Sequence, residues 1–266
     1  MGELLYFLLA GGVAGLLAGL LGIGGGLVMV PVLALTFANQ VNGDAVLPLA
    51  LGTSLAAIFF SAASSAWGHY RRGAVDLGLV QRVLPMLAAG AVVGAIGASW
   101  APHLLLTTLL ALFQAGLCVY MVRKTYYPSA TAAASIERAP SNPLMGLIGG
   151  ICAMAGIGGG TLCVPYFNHL GVAPRTAVGT AAALGVPIAL AAACAFGAAG
   201  WLKGAELPHS LGYVHLVALA GLVPGTIAGA QGGSALAHRL QPKLLMGLFS
   251  AFLALASART LAAALG

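Results

Sequence analysis

LLGIGGGLVMVP occupies residues 20–31, and MAGIGGGTLCVP occupies residues 154–165. Each holds the run G-I-G-G-G, and five residues after its last glycine stands a proline. Inside a helix, glycine costs about 1 kcal/mol and proline about 3 kcal/mol relative to alanine. A plain apolar helix gains nothing from that combination, still less from using it twice. The spacing predicts that a helix breaks at Gly22–Gly26 and restarts near Gly26–Leu27. The same break is expected at Gly156–Gly160. Pro31 and Pro165 then fall early in the restarted helices, where a missing N–H costs least but can still kink the chain.

The surroundings set the class. The chain has 266 residues, of which 60% are hydrophobic and 6% charged. Soluble domains carry about 25% charged residues, so this chain could not cover an aqueous surface. Apolar runs of the length that crosses a bilayer recur from end to end. The expected fold is an all-α polytopic membrane protein with the lipid bilayer as its main partner.

The net charge is +6, carried by basic residues that stand singly or in pairs between apolar runs. That distribution fits topology signals and anionic headgroups, not nucleic acid. No Lys or Arg precedes the first segment, so it does not read as a cleaved signal peptide. Cys118, Cys152, Cys163 and Cys194 form no CxxC pair, so neither a metal nor a disulfide framework is indicated. A dinucleotide fingerprint would need glycine where Leu27 and Thr161 stand, and no P-loop lysine follows. No cofactor is expected. An intramembrane enzyme is disfavoured by the lack of a nucleophile elbow, a paired-acid motif or a metal cluster.

The chain is written twice. Residues 123–143 are its most polar, proline-bearing stretch and read as a linker between a first repeat, 1–122, and a second, 144–266. Gly52-Thr53 matches Gly179-Thr180, and Gly73 after Arg72 matches Gly204 after Lys203. VGAIGASWAPHL (93–104) resembles AGAQGGSALAHRL (228–240). Each repeat reads as one long broken segment followed by three ordinary ones. If the broken segment folds back as a hairpin, the halves are inverted; if it continues in line, they are parallel. The hairpin puts nine Lys and Arg residues on one side and two on the other, against eight and three for the in-line reading. Segment length and the positive-inside rule together favour inversion.

A broken helix at membrane depth exposes backbone donors. Gly24, Gly25 and Gly26, with Gly158, Gly159 and Gly160, would present N–H groups at positive helix ends, an anion site without a buried Lys or Arg. Thr53, Ser54 and Thr180 could add hydroxyl donors; Ala181 stands where the second half lacks the serine. The competing reading is packing. Gly11, Gly15 and Gly19, and Gly225, Gly229 and Gly233, recur every fourth residue and read as close helix contacts. Gln114 and Gln231 read as helix glue. The five acids lie at segment ends or in loops, which disfavours a carboxylate proton relay and favours an anion path based on dipoles.

The duplicated G-I-G-G-G-x4-P element, the G-T pair and the linker-divided length resemble the sulfite exporter TauE/SafE family, also called the toluene-sulfonate uptake permeases. The resemblance covers essentially the whole chain. It implies a bacterial or archaeal inner-membrane transporter, or an organellar relative, with a bacterial cytoplasmic membrane the expected location. It also implies a substrate among sulfur-containing anions and small organic acids, here a small sulfur-containing anion such as sulfite, sulfoacetate or another organosulfonate. The mechanism expected is alternating access around a central site. A passive anion channel, or a carrier of a small carboxylate, is the alternative. The oligomeric state is left open, a homodimer included.

Overall fold

The chain is seen in a computed structural model that describes residues 2–21, 25–38, 40–41, 43–126, 142–205, 207–237 and 242–265. Gly22 and Gly24 of the first break, and 127–141 of the linker expected at 123–143, lie outside the described residues. Ten helices are described: α1 Gly2–Leu21, α2 Gly26–Phe37, α3 Gly43–Arg71, α4 Leu77–Trp100, α5 His103–Tyr126, α6 Asn142–Met154, α7 Gly160–His169, α8 Pro174–Leu202, α9 Leu216–Ala237 and α10 Pro242–Leu265. Two short antiparallel strands, β1 Ser210–Leu211 and β2 Val214–His215, join α8 to α9.

Both long apolar segments are split where the glycines stand. In the second, Gly156 has φ +64°, a left-handed conformation that other residues adopt at a cost. Its N–H reaches the Ala153 carbonyl, and the next N–H, that of Ile157, reaches back to the Cys152 carbonyl. That pattern closes α6 and frees the chain to turn. Pro31 and Pro165 lie within α2 and α7. Between α8 and α9, Gly212 turns the chain at φ +57° and joins the two strands.

Length separates two kinds of helix. At 1.5 Å per residue, α3 and α8 are about 44 Å long and α4, α5 and α10 about 36 Å. These exceed the roughly 30 Å of a hydrocarbon core, whereas α2 at about 18 Å and α7 at about 15 Å do not reach across it. By length and composition, α3, α4, α8 and the first 18 residues of α5 qualify as membrane spans among the described residues. Apolar side chains such as Val93, Leu112 and Leu255 are more than 60% exposed. In water such a surface would be unstable; against acyl chains it is satisfied. The chain is an integral, multi-pass membrane protein.

The centre is α3 against α8, with α2 on α3 and α7 on α8. Thr180, near the start of α8, meets Asp76, just beyond the end of α3. Gly52, in the first half of α3, lies against Phe196, near the end of α8. The two helices therefore run antiparallel. α8 and α4 run parallel, since the Asp76–Thr180 contact joins their N-terminal ends and Lys203 Nζ donates to the Ser99 carbonyl at their C-terminal ends, 2.6 Å.

Two outer pairs flank this centre, and both are glycine seams. Gly11 and Gly15 of α1 press on Leu222 and Thr226 of α9, while Gly225 and Gly229 press back on Leu8, Gly12 and Leu16. Gly90 and Gly94 of α4 press on Gly146 and Gly150 of α6. Both pairs are parallel, because position advances together along each seam. The packing expected of the fourfold-spaced glycines is observed at Gly11, Gly15, Gly225 and Gly229.

A Cβ at Gly15 would overlap the Thr226 backbone, whereas one at Gly116 meets nothing within 4 Å. Overpacking costs about 1–3 kcal/mol, and each kcal/mol moves the melting temperature of a protein this size by about 2–4 °C. Gly15→Val is expected to lower the melting temperature in detergent by about 3–10 °C, and Gly116→Val by less than about 2 °C.

Candidate functional site

A cavity of about 500 Å³ lies between the two glycine breaks, α3, α8 and α9. Gly25 of the first break and Gly158, Gly159 and Gly160 of the second line its floor, with Ile58 and Gly185. The breaks also touch. A Cβ at Gly26 would collide with the Gly156 carbonyl and come within 3.0 Å of Ile157 Cα. Only glycine permits this approach of backbone to backbone. Ser54 Oγ donates to the same Gly156 carbonyl, 3.1 Å away, tying α3 to the junction.

Two helix ends converge here. Gly25 and Gly159 hold the N-cap positions of α2 and α7, and neither receives a side-chain cap. The first N–H groups of a helix have no partner within it, and the helix dipole makes that end positive. The floor is therefore main chain at the positive ends of two helices.

One wall is polar. Ser61, Ser65, Gly68 and His69 follow Ile58 along α3 at three- and four-residue spacing, so they share one helix face; Arg72, one residue past the end of α3, continues the row, and all line the cavity. Ser64 joins them, and Gln231 of α9 lies opposite. From Ile58 to Arg72 the row rises about 21 Å. The cavity thus extends from the glycine floor toward the end of α3, where Arg72 is exposed. In the other direction α3 is sealed: Leu49, Ala50, Leu51, Thr53, Ser54 and Leu55 are inaccessible.

Thr53, Ser54 and Thr180 do not line this cavity. Both threonines instead take part in a clasp that occurs twice. Gly52 lets the Tyr213 carbonyl lie directly on α3, and two residues later the His215 N–H donates to Thr53 Oγ1, 2.9 Å. Gly179 lets the Ala74 carbonyl lie on α8, and two residues later the Asp76 N–H donates to Thr180 Oγ1, 3.0 Å. In each case the clasped residue caps the next helix: His215 Nδ1 accepts from the Ala218 N–H, and Asp76 Oδ1 from the Leu79 N–H. The glycine–threonine pairs thus fix where α9 and α4 begin.

The sequence singled out the glycines of the floor; the wall of α3 went unremarked. Its signal was present, as S-x-x-S-S-x-x-x-H-x-x-R on an otherwise apolar helix. Gln114 lies away from the cavity, buried in α5, and its amide has no partner among the described residues.

A helical, multi-pass membrane protein with a backbone-lined cavity between broken helices has the form of a membrane transporter. The chain matches the family described as Sulfite exporter TauE/SafE over residues 7–260, and it belongs to that family. It is 29% identical over 261 residues to a "Probable membrane transporter protein" of Haemophilus influenzae, covering 94% of this chain and 95% of that one. It is 27% identical over 240 residues to the "Probable membrane transporter protein YdhB" of Bacillus subtilis, covering 87% and 89%. No solved structure matches it. The chain is a membrane transporter.

If Thr53 is a clasp, its loss strands a buried N–H, which costs about 1–3 kcal/mol. Thr53→Val is expected to lower the melting temperature in detergent by several degrees, and Thr53→Ser to restore it.

The same clasp is pH-sensitive through its cap. Burial holds the His215 imidazole below its usual 6.5, His209 adds to the shift, and Glu3 opposes it. Below about pH 6.5 the unfolded chain then binds more protons than the folded one, so stability falls as the pH falls. His215→Asn keeps a capping acceptor and is expected to flatten that fall, read as melting temperature against pH.

Proposed function

We propose that this chain is a secondary transporter of a small sulfur-containing anion, of the sulfite, sulfoacetate or organosulfonate type, in a bacterial cytoplasmic membrane. The anion binds on the cavity floor to N–H groups at Gly25, Gly26 and Gly158–Gly160, between two homologous repeats, 1–122 and 144–266. The observation that carries this reading is the meeting of both glycine breaks at one cavity. Two uncapped helix ends at one space suit an anion, and the described residues of the cavity's lining include no carboxylate to suit a cation.

Inverted repeats are the arrangement we favour. The parallel α4–α6 and α4–α8 pairs support a chain that enters α6 and leaves α7 on the same side, which makes the broken segment a hairpin. Antiparallel α3 and α8, with their exchanged clasps, fit a two-fold axis in the membrane plane. Arg71, Arg72 and Arg175 then share one side, the cytoplasmic one by the positive-inside rule. The cavity reaches toward that side along α3, while the strand pair lies on Gly197 and Gly200 of α8 and closes the other. Alternating access would exchange these two conditions about the glycine junction.

The test is uptake of radiolabelled sulfite into proteoliposomes, with sulfoacetate, taurine, sulfate and acetate as competitors and with counterflow measured. Saturable uptake with counterflow is expected; flux without saturation would point to a channel, and no flux from folded protein would refute the reading. A plug supplies the matching variant. Gly68 lines the cavity, and a Cβ there meets nothing within 4 Å; the same open space surrounds Gly97 on the exposed face of α4. Gly68→Trp is expected to reduce uptake to background with an unchanged melting temperature, and Gly97→Trp to leave both unchanged.

A further inference from the structure

We propose that Arg72, with the hydroxyls below it on α3, is a capture station for the anion on one face of the membrane only, so that the carrier is kinetically two-faced. The inference rests on the anion-transporter reading above and adds to it which face gathers substrate, and through which residue.

Four observations support it. Arg72 is the one permanently charged side chain among the described residues lining the cavity. No described carboxylate pairs with it, so its charge is free to meet an anion. A path of hydroxyls, Ser65 and Ser61, leads from it along the same helix face to the glycine floor. Finally, the other half has no counterpart. Lys203, matched to Arg72 by the left-handed glycine that follows each, is occupied: its Nζ donates to the Ser99 carbonyl at 2.6 Å and lies 4.7 Å over the Trp100 ring. Counting back from Lys203, the positions of Ser61, Ser65 and His69 are held by Ala192, Phe196 and Gly200, all buried. A path opened along that half would be apolar and without a free charge.

The physical role follows from distance. Arg72 stands about 21 Å along the α3 row from the floor, beyond the reach of one small anion touching both. It therefore acts before binding. A fixed positive charge at the mouth of a low-dielectric cleft raises the local anion concentration and the on-rate, and salt screens it over about 8 Å at physiological ionic strength.

The experiment uses inside-out membrane vesicles, which present the Arg72 face to the medium, and radiolabelled sulfite; should the wild type carry only sulfoacetate or acetate, that anion is the probe. Arg72→Gln is expected to raise KM by about 5–10-fold with Vmax within about twofold, the scale of moderate electrostatic steering. Arg72→Lys should stay within twofold of wild type, because charge alone is required, and Arg71→Gln, adjacent but off the cavity, should be neutral. Raising potassium chloride outside from 20 to 200 mM should raise the wild-type KM several-fold, leave Arg72→Gln unmoved, and have little effect in right-side-out vesicles. An unchanged KM in Arg72→Gln, failure of Arg72→Lys to restore it, or equal salt dependence on both faces overturns the capture station while leaving the transporter reading intact. A wild type that carries none of the three anions overturns both.

Discussion

Gly26 lies against Gly156 and Ile157 with no side chain between them, and the rest of the architecture is arranged to make that contact tolerable. A broken helix inside a bilayer leaves N–H and C=O groups that water cannot reach and lipid cannot satisfy. This protein brings two such breaks together and surrounds them with α3 and α8. Ser54 takes up the Gly156 carbonyl. Gly25 and Gly158–Gly160, on the other side of the junction, line the cavity.

A second constraint keeps the junction in register. Each central helix holds, through a glycine and a threonine, the N-cap residue that starts a helix of the other half: α3 holds His215 before α9, and α8 holds Asp76 before α4. Since α9 carries α1 through one glycine seam and α4 carries α6 through the other, the clasps set the height of both broken segments. Glycine seams supply close van der Waals contact where burial from water provides no driving force between helices. A shift of either clasp would move a glycine break out of line with its partner.

The two halves are alike in their clasps and seams and unlike in what they show the cavity. Along α3 the exposed wall is serine, histidine and arginine; the matching face of α8 is alanine, phenylalanine and glycine under the strand pair.

Much of this was legible in the sequence. Sixty per cent hydrophobic residues with 6% charge leave no alternative to a membrane, because no rearrangement can hide so much apolar surface from water. Two G-I-G-G-G runs before a proline dictate two helix breaks, since the cost is local and independent of what surrounds them. The fourfold glycine spacing marked the α1–α9 seam for the same reason. Tertiary structure alone decided the rest. Thr53 and Thr180 carry hydroxyls that could serve a ligand or a neighbouring backbone. Their use as clasps depends on Tyr213 and Ala74 coming from the opposite half of the chain, a contact across more than a hundred residues. Ser61, Ser65 and Arg72 are ordinary residues near a helix end until α8 and the second break stand across from them and turn one helix face into a wall. Helix breaks are set by backbone energetics that each residue carries with it; a site is set by which surfaces meet, and only the folded chain determines that.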